Sequence, residues 1–516
     1  MAGIYDLVVV GGGASGLVAA ISAAQSNDKL KILILEAQDQ PGRKILASGN
    51  GRCNLSHLNV SSDNYQGNIF TRSLLAKFSA ETLQYFFDAL GLYTMVDDEG
   101  RMYPLSNQAL TVLTILKEAI EKNNIATRTD SPVIRISLLN NSWNLTLLSG
   151  EVIRSRRVVL ATGGLAAPQL GGSRSGYLLA SALGLVVVPV VPALTPLVLA
   201  EKLMCQQLKG LRFRAVSRLL HKGNYDGSEG NNGTEDSVAS QTEILSEPPN
   251  NWQTVRISEG EFLFADYGLS GIAAMELSEA VASHCFIDGS EGPALPIKRA
   301  KLRPVEDWYA LPEEKEFILK LDLLPDYSDR ELESRLWQRL SSLSVDNRDR
   351  LLVGMLPLAL AEYLGQEAVR KVVSVFEDKQ KSELSGQSLI MSDLAGNVLQ
   401  SDSERHVRKK VDSGSSIRGQ NLDDACLIST TISTLKSWDL NVVGVRGFEQ
   451  AQASLGGLET SAVNPRTMEV YDLPGLHVTG ELLDVLGDTG GYNLHFAFAS
   501  GIAAGEAAAA KLTAGE

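Results

Sequence analysis

Three glycines near the start of the chain have the spacing of a phosphate-binding turn. Gly11, Gly13 and Gly16 follow an apolar strand-like run, Leu7–Val10, and open a helical stretch over Ala14–Ser26. In a G-x-G-x-x-G pattern the first glycine permits a tight turn, the second lets backbone N–H groups approach a pyrophosphate, and the third lets the helix pack closely on the strand. The amino end of the helix adds oriented donors for phosphate oxygens. The pattern therefore predicts a dinucleotide-binding turn.

An acidic residue follows the next strand-like run. Ile32–Leu35 predicts a second parallel strand, and Glu36 ends it about 20 residues after the last glycine. A carboxylate at this position accepts hydrogen bonds from ribose hydroxyls and repels a 2′-phosphate. Strand, glycine turn, helix, strand and acid together predict a Rossmann-like βαβ unit whose dinucleotide is not NADP-like.

The chain continues with a glycine-rich basic loop, where a nicotinamide-dependent dehydrogenase normally continues with a plain helix. Pro41–Lys44 and Ser48–Asn54 suit close passage of backbone beside a long dinucleotide. Arg43 or Arg52 would then lie near phosphate or near the electron-rich end of a reduced flavin. The alternative for each arginine is an ordinary surface turn. The loop favours FAD over NAD.

The elements that must position these residues form an α/β part and an inserted part. Arg157–Ala161 is a short apolar strand that ends at Thr162 and two glycines, as a parallel strand delivering its carboxyl end to a ligand would. From about Pro192, short apolar runs separated by turns predict antiparallel strands. After Pro325 the pattern turns helical. An alanine-rich stretch over Leu494–Leu512 predicts a helix that belongs to the α/β part again.

Two local signals refine the inserted part. Ser328 and Glu331 predict a capping box at the start of a helix with leucines at i, i+4 spacing. Lys222–Trp252, rich in Gly, Asn, Ser, Asp and Glu, predicts a surface loop. A chain that begins and ends in α/β texture, with other material between, predicts a cofactor domain interrupted by an insertion.

Composition and charge argue against several classes of protein. A net charge of −14 over 516 residues opposes general binding to a nucleic-acid backbone, which needs a surplus of lysine and arginine. Four separated cysteines form no C-x-x-C pair, which argues against a dithiol or zinc centre and suits a reducing cytoplasm. The uncharged stretch Ser175–Ala200 is long enough for a membrane span, but its prolines and β-branched residues predict buried soluble structure. We expect a cytoplasmic protein without a metal, a nucleic-acid partner or a membrane segment.

Four segments together carry a resemblance to a known family. They are the N-terminal glycine turn, the loop SGNGRCN at 48–54, ATGG at 161–164 and GLHVTGELLDVLGDTGGYNL at 475–494. With these segments the chain resembles the BaiN/YhiN-like flavoproteins, also known as aminoacetone-oxidase-like FAD-binding enzymes. The match covers the cofactor-binding ends well and the middle loosely, and it implies FAD as the cofactor.

The resemblance also implies a fold and its divisions. The implied fold is α/β, with a discontinuous Rossmann-like FAD-binding domain, an inserted β-barrel-like subdomain and a small helical subdomain. The implied divisions are 1–190 and 459–516 for the FAD-binding domain, 191–310 and 433–458 for the barrel-like subdomain, and 311–432 for the helical subdomain.

By the same resemblance, two C-terminal segments contact the cofactor. Residues 475–484 would run past its ribityl chain and pyrophosphate, and residues 490–493 would present a helix start to the pyrimidine side of the isoalloxazine. Backbone donors and a positive helix end stabilise the negative charge that develops there on reduction. The predicted cofactor contacts from motif and resemblance together are Gly11, Gly13, Ala14, Ser15, Gly16, Glu36, Ala37, Gly42, Arg43, Lys44, Ser48, Gly49, Asn50, Gly51, Cys53, Asn54, Val133, Ala161, Thr162, Gly163, Gly480, Glu481, Asp484, Gly490, Gly491, Tyr492 and Asn493.

The chain departs from the family pattern away from these contacts. Relatives usually have Thr-His where this chain has Ala265 and Asp266, and Gly and Asp where it has Arg174 and Ser175. Leu185 stands where relatives often have His. These are positions where a substrate or redox partner would be met, so a relative's substrate preference does not carry over.

Three side chains are candidates for chemistry beside the cofactor. His495 and Tyr492 are the candidate catalytic residues, and packing is the alternative role for each. Cys53 is either a thiol near the flavin or a small buried residue, and we favour the second. No metal-binding or acyl-transfer motif accompanies them.

These features predict an FAD-dependent oxidoreductase that transfers a hydride between flavin N5 and a small organic substrate held between cofactor domain and insert. The resemblance implies reduction of an activated C=C bond or oxidation of an amine, and the residues do not choose between them. No second G-x-G-x-x-G follows a strand, so NAD(P)H is expected only as a transient electron donor. The alternatives are a non-catalytic, redox-responsive flavin-binding interaction protein and an NAD-dependent dehydrogenase. The oligomeric state stays open.

Overall fold

The structure is a computed structural model. It describes residues 4–66, 68–223, 251–285, 304–305, 308–311, 316–392 and 423–513. The predicted surface loop between Lys222 and Trp252 lies outside the described residues except at its ends, which belong to strands.

Twenty strands and twelve α-helices are assigned within the described ranges. The strands are β1 Tyr5–Val10, β2 Ile32–Leu35, β3 Ser56–His57, β4 Thr94–Val96, β5 Arg101–Pro104, β6 Ala126–Arg128, β7 Val133–Leu139, β8 Ser142–Leu147, β9 Val152–Leu160, β10 Val187–Ala193, β11 Leu197–Leu199, β12 Arg212–Lys222, β13 Trp252–Ala265, β14 Gly268–Ser270, β15 Pro304–Val305, β16 Trp308–Ala310, β17 Phe317–Asp322, β18 Trp438–Arg446, β19 Ala453–Leu458 and β20 Leu476–Val478. The helices are α1 Ala14–Ser26, α2 Arg43–Ala47, α3 Asn68–Leu75, α4 Ala80–Leu90, α5 Ala109–Lys122, α6 Ser175–Ala182, α7 Lys202–Gln207, α8 Ile272–Ala282, α9 Asp329–Leu340, α10 Leu358–Ser392, α11 Asp424–Lys436 and α12 Tyr492–Thr513.

The first and last parts of the chain share one sheet. Strands β6, β2, β1 and β9 lie side by side in parallel, and β20 adds to β9 in parallel from the far end of the sequence. The antiparallel pair β7–β8 extends the sheet beyond β9. Strand β1 ends in four buried apolar residues because a central parallel strand is covered on both faces. This confirms the discontinuous Rossmann-like domain.

Two helices cover the same face of that sheet and pack tightly on each other. Nearly every residue of α1 from Ser15 to Ala24 is buried. Helix α12 approaches it through Gly501 and Gly505, where an added Cβ would lie 2.3 Å from Ser15 O and 2.2 Å from Ala19 O. Contact this close requires glycine, which explains why the C-terminal helix is rich in small residues.

A closed six-stranded barrel forms the inserted part. The strands follow one another around the barrel in the order β11, β14, β13, β12, β17 and β18, and β18 pairs again with β11. The long strands β12 and β13 pair from Arg212 with Leu263 to Lys222 with Trp252. Phe213 packs its ring on Phe262 and Phe264, with ring centroids 5.5 and 5.3 Å away. The barrel confirms the predicted antiparallel subdomain.

A helical subdomain is carried by the barrel. Ser328 caps α9, and Glu331 completes the predicted capping box, its carboxylate accepting the Ser328 backbone N–H at 2.9 Å. The apolar side of α9 is buried with α10 and α11 in the same core as the barrel. The proposed start of this subdomain at residue 311 moves beyond Asp322, because Phe317–Asp322 pairs with β12 and β18. The rest of the division stays a prediction.

The join between the domains is a small sheet of its own. Strand β10 pairs with β19 in an antiparallel two-stranded sheet, so the last strand of the 433–458 range lies outside the barrel. The uncharged stretch Ser175–Ala200 forms α6, β10 and β11. Among the described residues no helix has the length and apolar character needed to cross a bilayer.

The contact between α1 and α12 makes a prediction about stability. Replacing Gly505 with Ala places a methyl group against the Ala19 carbonyl, so we expect the free energy of unfolding to fall by about 1–3 kcal/mol, although alanine is the better helix former. Chemical denaturation measures the change. Ala510→Gly on the exposed side of the same helix calibrates intrinsic helix propensity, at a cost of about 0.5–1 kcal/mol. A stabilised Gly505→Ala protein would contradict the packing.

Candidate active site

The glycine turn after β1 is shaped by close backbone contacts on two sides and open space on the third. A Cβ on Gly11, whose φ is +106°, would lie 2.3 Å from Ala161 O, and one on Gly16 would lie 2.0 Å from Gly11 O. A Cβ on Gly13, by contrast, would meet nothing within 4 Å. The first turn of α1 carries no acidic residue. The turn therefore leaves its helix-end donors facing free space, as a phosphate group requires.

Glu36 is fixed at the end of β2 by the turn itself. Its carboxylate accepts the backbone N–H of Gly12 at 2.7 Å and that of Gln38 at 2.8 Å. These bonds hold the carboxylate beside the glycine turn and leave lone pairs for ribose hydroxyls. Ala37 is exposed next to it. Val133, at the start of β7, is buried close to this edge, where Ser131 donates its backbone N–H to Glu36 O at 2.9 Å.

The loop 48–54 has a backbone that few sequences can adopt. Gly49, Asn50 and Cys53 have φ of +55°, +55° and +61°, and Gly51 has +83°. These residues fold the loop tightly on itself, and Cys53 donates its backbone N–H to Ser48 O at 3.0 Å. Burial raises the pKa of the Cys53 thiol to about 11, and its side chain is fully buried. Cys53 therefore packs as a neutral thiol, as favoured from the sequence.

The two arginines of this region, Arg43 and Arg52, have different surroundings. Arg43 reaches Gln38 Oε1 at 3.2 Å, at the same edge as Glu36. Arg52 lies over the ring of Tyr103, with its guanidinium carbon 4.6 Å from the centroid, on the other side of the loop. Arg43 is thus placed for a dinucleotide contact, and Arg52 has the surface role that was the alternative for it.

The segment after β20 runs alongside the glycine turn. Thr479 donates its backbone N–H to Leu160 O at 3.0 Å, and Gly480, with φ +64°, sits so close to Ser15 that an added Cβ would lie 2.8 Å from its Oγ. The side-chain oxygens of Thr479 and of Thr162 are buried and have no hydrogen-bond partner among the residues that the structure describes. Unpaired buried polar atoms on both sides of the crevice are a feature that a bound polar ligand would satisfy.

Glu481 and Asp484 tie this segment to the rest of the domain. The Glu481 carboxylate forms an ion pair with Lys44 Nζ at 3.0 Å, and it accepts a hydrogen bond from the backbone N–H of Ser454 at 2.8 Å. Asp484 accepts the backbone N–H of Gly456 at 3.0 Å, and burial raises the pKa of its carboxyl. Both carboxylates therefore hold strand β19 through the backbone N–H groups of Ser454 and Gly456. Ser454 is a partner that the sequence did not suggest.

The turn before α12 closes against the loop 48–54. Gly490 and Gly491 have φ of +110° and +106°. An added Cβ on Gly491 would lie 2.6 Å from Asn54 Oδ1, a buried oxygen that no donor in the described part of the chain bonds. Asn493 bridges the turn by accepting Gly487 N–H at 2.8 Å and donating to Gly487 O at 2.8 Å. The two predicted contact segments therefore meet at the amino end of α12.

The two candidate catalytic side chains have different surroundings. Tyr492 stacks on His57 at 5.1 Å between ring centroids and lies at the edge of the partly exposed turn, and burial raises its pKa to about 12. His495 is fully buried: its Nε2 donates to Phe78 O at 2.9 Å, which makes Nδ1 the acceptor of the Ser56 hydroxyl at 2.8 Å. Burial lowers the pKa of His495 to about 4. The geometry favours the packing alternative for His495 and leaves Tyr492 a candidate.

The positions that depart from the family pattern lie on other surfaces. Asp266 pairs with Lys209 at 2.7 Å, and both side chains are exposed on the barrel. Arg174 precedes α6, and Leu185 follows it. What the sequence missed is a polar cluster from the barrel, centred on Arg256 and Glu276, that contacts the turn before α12. No motif marks these residues, because their significance comes only from β13 and α8 meeting a distant loop.

The residues present fit an adenine dinucleotide with a flavin ring. The glycine turn offers the phosphate cradle, Glu36 the ribose acceptor, and the left-handed loops at 48–54 and 490–491 the backbone donors near the amino end of α12. In class, the fold and the site are those of an FAD-dependent oxidoreductase.

Comparison with known proteins gives the family. A family model described as "HI0933-like protein Rossmann domain" matches residues 5–507, and the chain belongs to this family. It is 31% identical to the 3-dehydro-bile acid delta(4,6)-reductase of Clostridium scindens over 97% of this chain and 98% of that protein. It is 27% identical to the ribosomal RNA dihydrouridine synthase of Escherichia coli, over 96% of each chain. These findings confirm the resemblance to the BaiN-like flavoproteins.

A search of solved structures gives more distant likenesses. The E. coli quinol fumarate reductase FrdA, in a mutant form, is 14% identical with a TM-score of 0.44 and covers 100% of this chain and 71% of its own. A flavocytochrome c3 fumarate reductase in an open conformation has a TM-score of 0.39 at 15% identity, covering 99% of this chain and 78% of its own.

The position of Glu36 predicts its effect on cofactor binding. Glu36→Gln removes the charge from an acceptor expected to bond ribose hydroxyls, so we expect FAD to bind roughly 10- to 100-fold more weakly, the loss of a charge-assisted hydrogen bond. Titration of apoprotein with FAD, followed by flavin fluorescence, measures the change. Glu118→Gln, which makes the same change at an exposed position on α5, is the matched control. Equal affinities for all three proteins would refute the ribose assignment.

The burial of His495 predicts a pH dependence of stability. An unfolded histidine binds its proton near pH 6.5, whereas folded His495 does so only near pH 4. The unfolded state therefore binds more protons between these values, and this residue lowers the free energy of unfolding as pH falls through that window, by up to about 1.4 kcal/mol per pH unit.

Replacing the imidazole tests this dependence. His495→Gln keeps a donor and an acceptor but cannot titrate, so its stability deficit relative to the parent should shrink as pH falls from 6.5 to 4. Denaturation at several pH values in that window measures it. A deficit that is constant with pH would show that His495 is accessible to protons in the folded state.

Proposed function

We propose that the chain reduces a carbon–carbon double bond conjugated to a carbonyl in a small cyclic organic substrate, with FAD supplying the hydride from N5. The observation that carries this proposal is the full-length match to a protein named as a delta(4,6)-reductase. The second relative is named for forming dihydrouridine, which is uridine with two added hydrogens. Both names describe hydrogenation of an unsaturated ring, which favours C=C reduction over the amine oxidation that the sequence left open.

The site supports this chemistry through its fixed donors. The predicted contacts at Gly490, Gly491 and Asn54 would hold the pyrimidine end of the isoalloxazine, and the positive end of α12 would stabilise negative charge there. Because these donors are held by close packing, they cost little reorganisation during the reaction. The predicted contacts around Glu36 and the glycine turn would supply binding and orientation.

The substrate would lie where the barrel faces the turn before α12. Pockets form preferentially at domain interfaces, and the residues from Asp488 to Gly491 are partly exposed there. The stacked rings of Tyr492 and His57 offer an apolar and aromatic face to a ring-shaped substrate. NAD(P)H would reduce the flavin as a transient donor, since the described part of the chain has one parallel sheet with a glycine turn.

An RNA substrate is the second candidate, because two relatives are named ribosomal RNA dihydrouridine synthases. The net charge of −14 opposes binding of a polyanion. We therefore favour a small molecule. The absence of a nucleic-acid partner stays a prediction.

Stopped-flow reoxidation tests the proposal. Purified protein should carry FAD, be reduced anaerobically by NADH or NADPH, and be reoxidised by cyclohexenone or a steroid enone at least about 10-fold faster than FAD free in solution, because a positioned acid and fixed donors lower the barrier. Amines should not reduce the flavin. Loss of bound FAD in Gly13→Val, which fills the open side of the turn, provides the control.

The other outcomes of this experiment separate the alternatives. Flavin reduction by an amine would replace the proposal with amine oxidation. Acceleration by uridine-containing RNA alone would favour the RNA substrate. Bound FAD whose reoxidation no organic acceptor or RNA accelerates would favour the non-catalytic interaction protein, and colourless protein would favour the dehydrogenase.

A further inference from the structure

A polar cluster joins the barrel to the turn before α12. We call it the joint cluster; its members are Arg256 and Ser258 on β13, Glu276 and Glu279 on α8, and Asp488 and Thr489 in the turn. Its last members directly precede Gly490 and Gly491, the backbone donors proposed for the flavin ring. The barrel therefore contacts the flavin-facing turn through side-chain hydrogen bonds and an ion pair.

The charges of the joint cluster do not balance. Arg256 Nη1 lies 3.2 Å from Glu279 Oε2, and its Nη2 lies 2.6 Å from Asp488 Oδ1. One guanidinium thus already serves two carboxylates. Glu276 is a third carboxyl group in the same half-buried space, and with all three ionised the cluster would carry two uncompensated negative charges.

Glu276 is the carboxyl group of the cluster whose contacts are hydroxyls. Ser258 Oγ bonds its Oε2 at 2.8 Å, and Thr489 Oγ1 bonds its Oε1. No ion pair to Glu276 is found among the described residues, in contrast to Glu279 and Asp488. A hydroxyl can donate a hydrogen bond to a carboxylate, and it can equally accept one from the O–H of a protonated carboxyl group. The two hydroxyl partners therefore suit Glu276 in its neutral form as well as in its ionised form.

The surroundings of Glu276 favour the neutral form. Burial raises the pKa of Glu276; Asp488 raises it further, while the bonds from Thr489 and Ser258 and the charge of Arg256 lower it. Burial also raises the pKa of Glu279, which Arg256 counteracts directly. Two phenols also face the cluster among the described residues: burial raises the pKa of Tyr492 to about 12 and that of Tyr65 well above its ordinary value, so both stay neutral. Of the three carboxyl groups, Glu276 is the one whose partners among the described residues are hydroxyls and not a cation, so it is the best placed to hold a proton.

The structure assigns a role to that proton. We propose that Glu276 carries the proton of the joint cluster and passes it through the Thr489 hydroxyl to the substrate, which makes Glu276 a proton-holding, positioning residue of the reaction. This inference rests on the proposed function. Thr489 belongs to the partly exposed turn that precedes Gly490, and its hydroxyl bonds Glu276, so the proposal makes Thr489 the member of the pair that meets the substrate.

The proposed step balances. When a conjugated C=C bond accepts a hydride at its β-carbon, the α-carbon is left with an electron pair and forms a C–H bond with the proton of the Thr489 hydroxyl. Thr489 regains a proton from Glu276, which becomes a carboxylate and is reprotonated by water. The electrons come from reduced FAD, whose own reductant is the NAD(P)H of the proposed function.

Protonation of Glu276 can be measured without any substrate. A carboxylate that appears beside the flavin perturbs its visible absorption, so the FAD-bound protein should show an absorbance titration that is absent in Glu276→Gln. Glu259→Gln, at an exposed position on β13 next to Ser258, should titrate like the parent. Identical titrations in the parent and in Glu276→Gln would overturn the proposal, whether or not the enzyme reduces an enone.

The proton transfer can be measured in the second half-reaction. With cyclohexenone as oxidant, Glu276→Gln and Thr489→Val should each slow flavin reoxidation by about 100-fold or more, the usual size of general acid catalysis, and flatten its pH profile. Thr489→Ser should restore the rate because it keeps the hydroxyl. With ferricyanide, which accepts electrons and needs no proton, all variants should react like the parent.

The outcomes distinguish a proton role from a structural one. If the variants also slow reoxidation by ferricyanide, or if Thr489→Ser is as slow as Thr489→Val, the cluster only holds the turn and the proton role is refuted. If cyclohexenone does not reoxidise the parent protein, the proposed function fails, and the absorbance titration alone decides whether Glu276 carries the proton.

Discussion

The close approach of backbone to backbone around the glycine turn is the constraint on which the rest of the site depends. A Cβ on Gly16 would lie 2.0 Å from Gly11 O and one on Gly11 would lie 2.3 Å from Ala161 O, while Gly480 lies against the Ser15 side chain. These contacts bring three segments from both ends of the chain to one edge of the sheet. Because the edge is built from backbone, its N–H groups face the crevice with no side chain between them and a phosphate.

The same constraint explains why the FAD-binding domain is discontinuous. Strand β20 must lie beside β9 for Gly480 to reach the turn, and α12 must lie on α1 for its amino end to face the loop 48–54. A long insertion between β10 and β19 leaves this arrangement intact. The two strands pair with each other, so the chain leaves the FAD-binding domain and re-enters it at the same place. The barrel can therefore differ among relatives while the dinucleotide site keeps its geometry.

The sequence predicted the parts of the structure that local chemistry determines. The strands β1 and β2, the helix between them, the position of Glu36 and the capping box at Ser328 each depend on a few neighbouring residues, and each lies where it was predicted. The contacts Lys44–Glu481 and Ser56–His495 join residues more than four hundred positions apart, so no local pattern encodes them. The role of His495 could not be predicted for this reason: its partners come from β3 and from Phe78, and only the fold shows that both ring nitrogens are bonded.

The two halves of the site differ in a way that matches their tasks. The dinucleotide half consists of close-packed backbone, where a substitution meets another atom at once and little can vary. The half that faces the barrel consists of partly exposed polar and charged side chains. There Arg256 is shared by two carboxylates, and Glu276 is bonded to the hydroxyls of Ser258 and Thr489. Groups of this kind can change protonation state without moving the backbone, because hydroxyl partners reorient in place. The site thus combines a turn of close-packed backbone with a cluster of charged and hydroxyl side chains from the barrel, and only the second can change its protonation without a change in the packing of the chain.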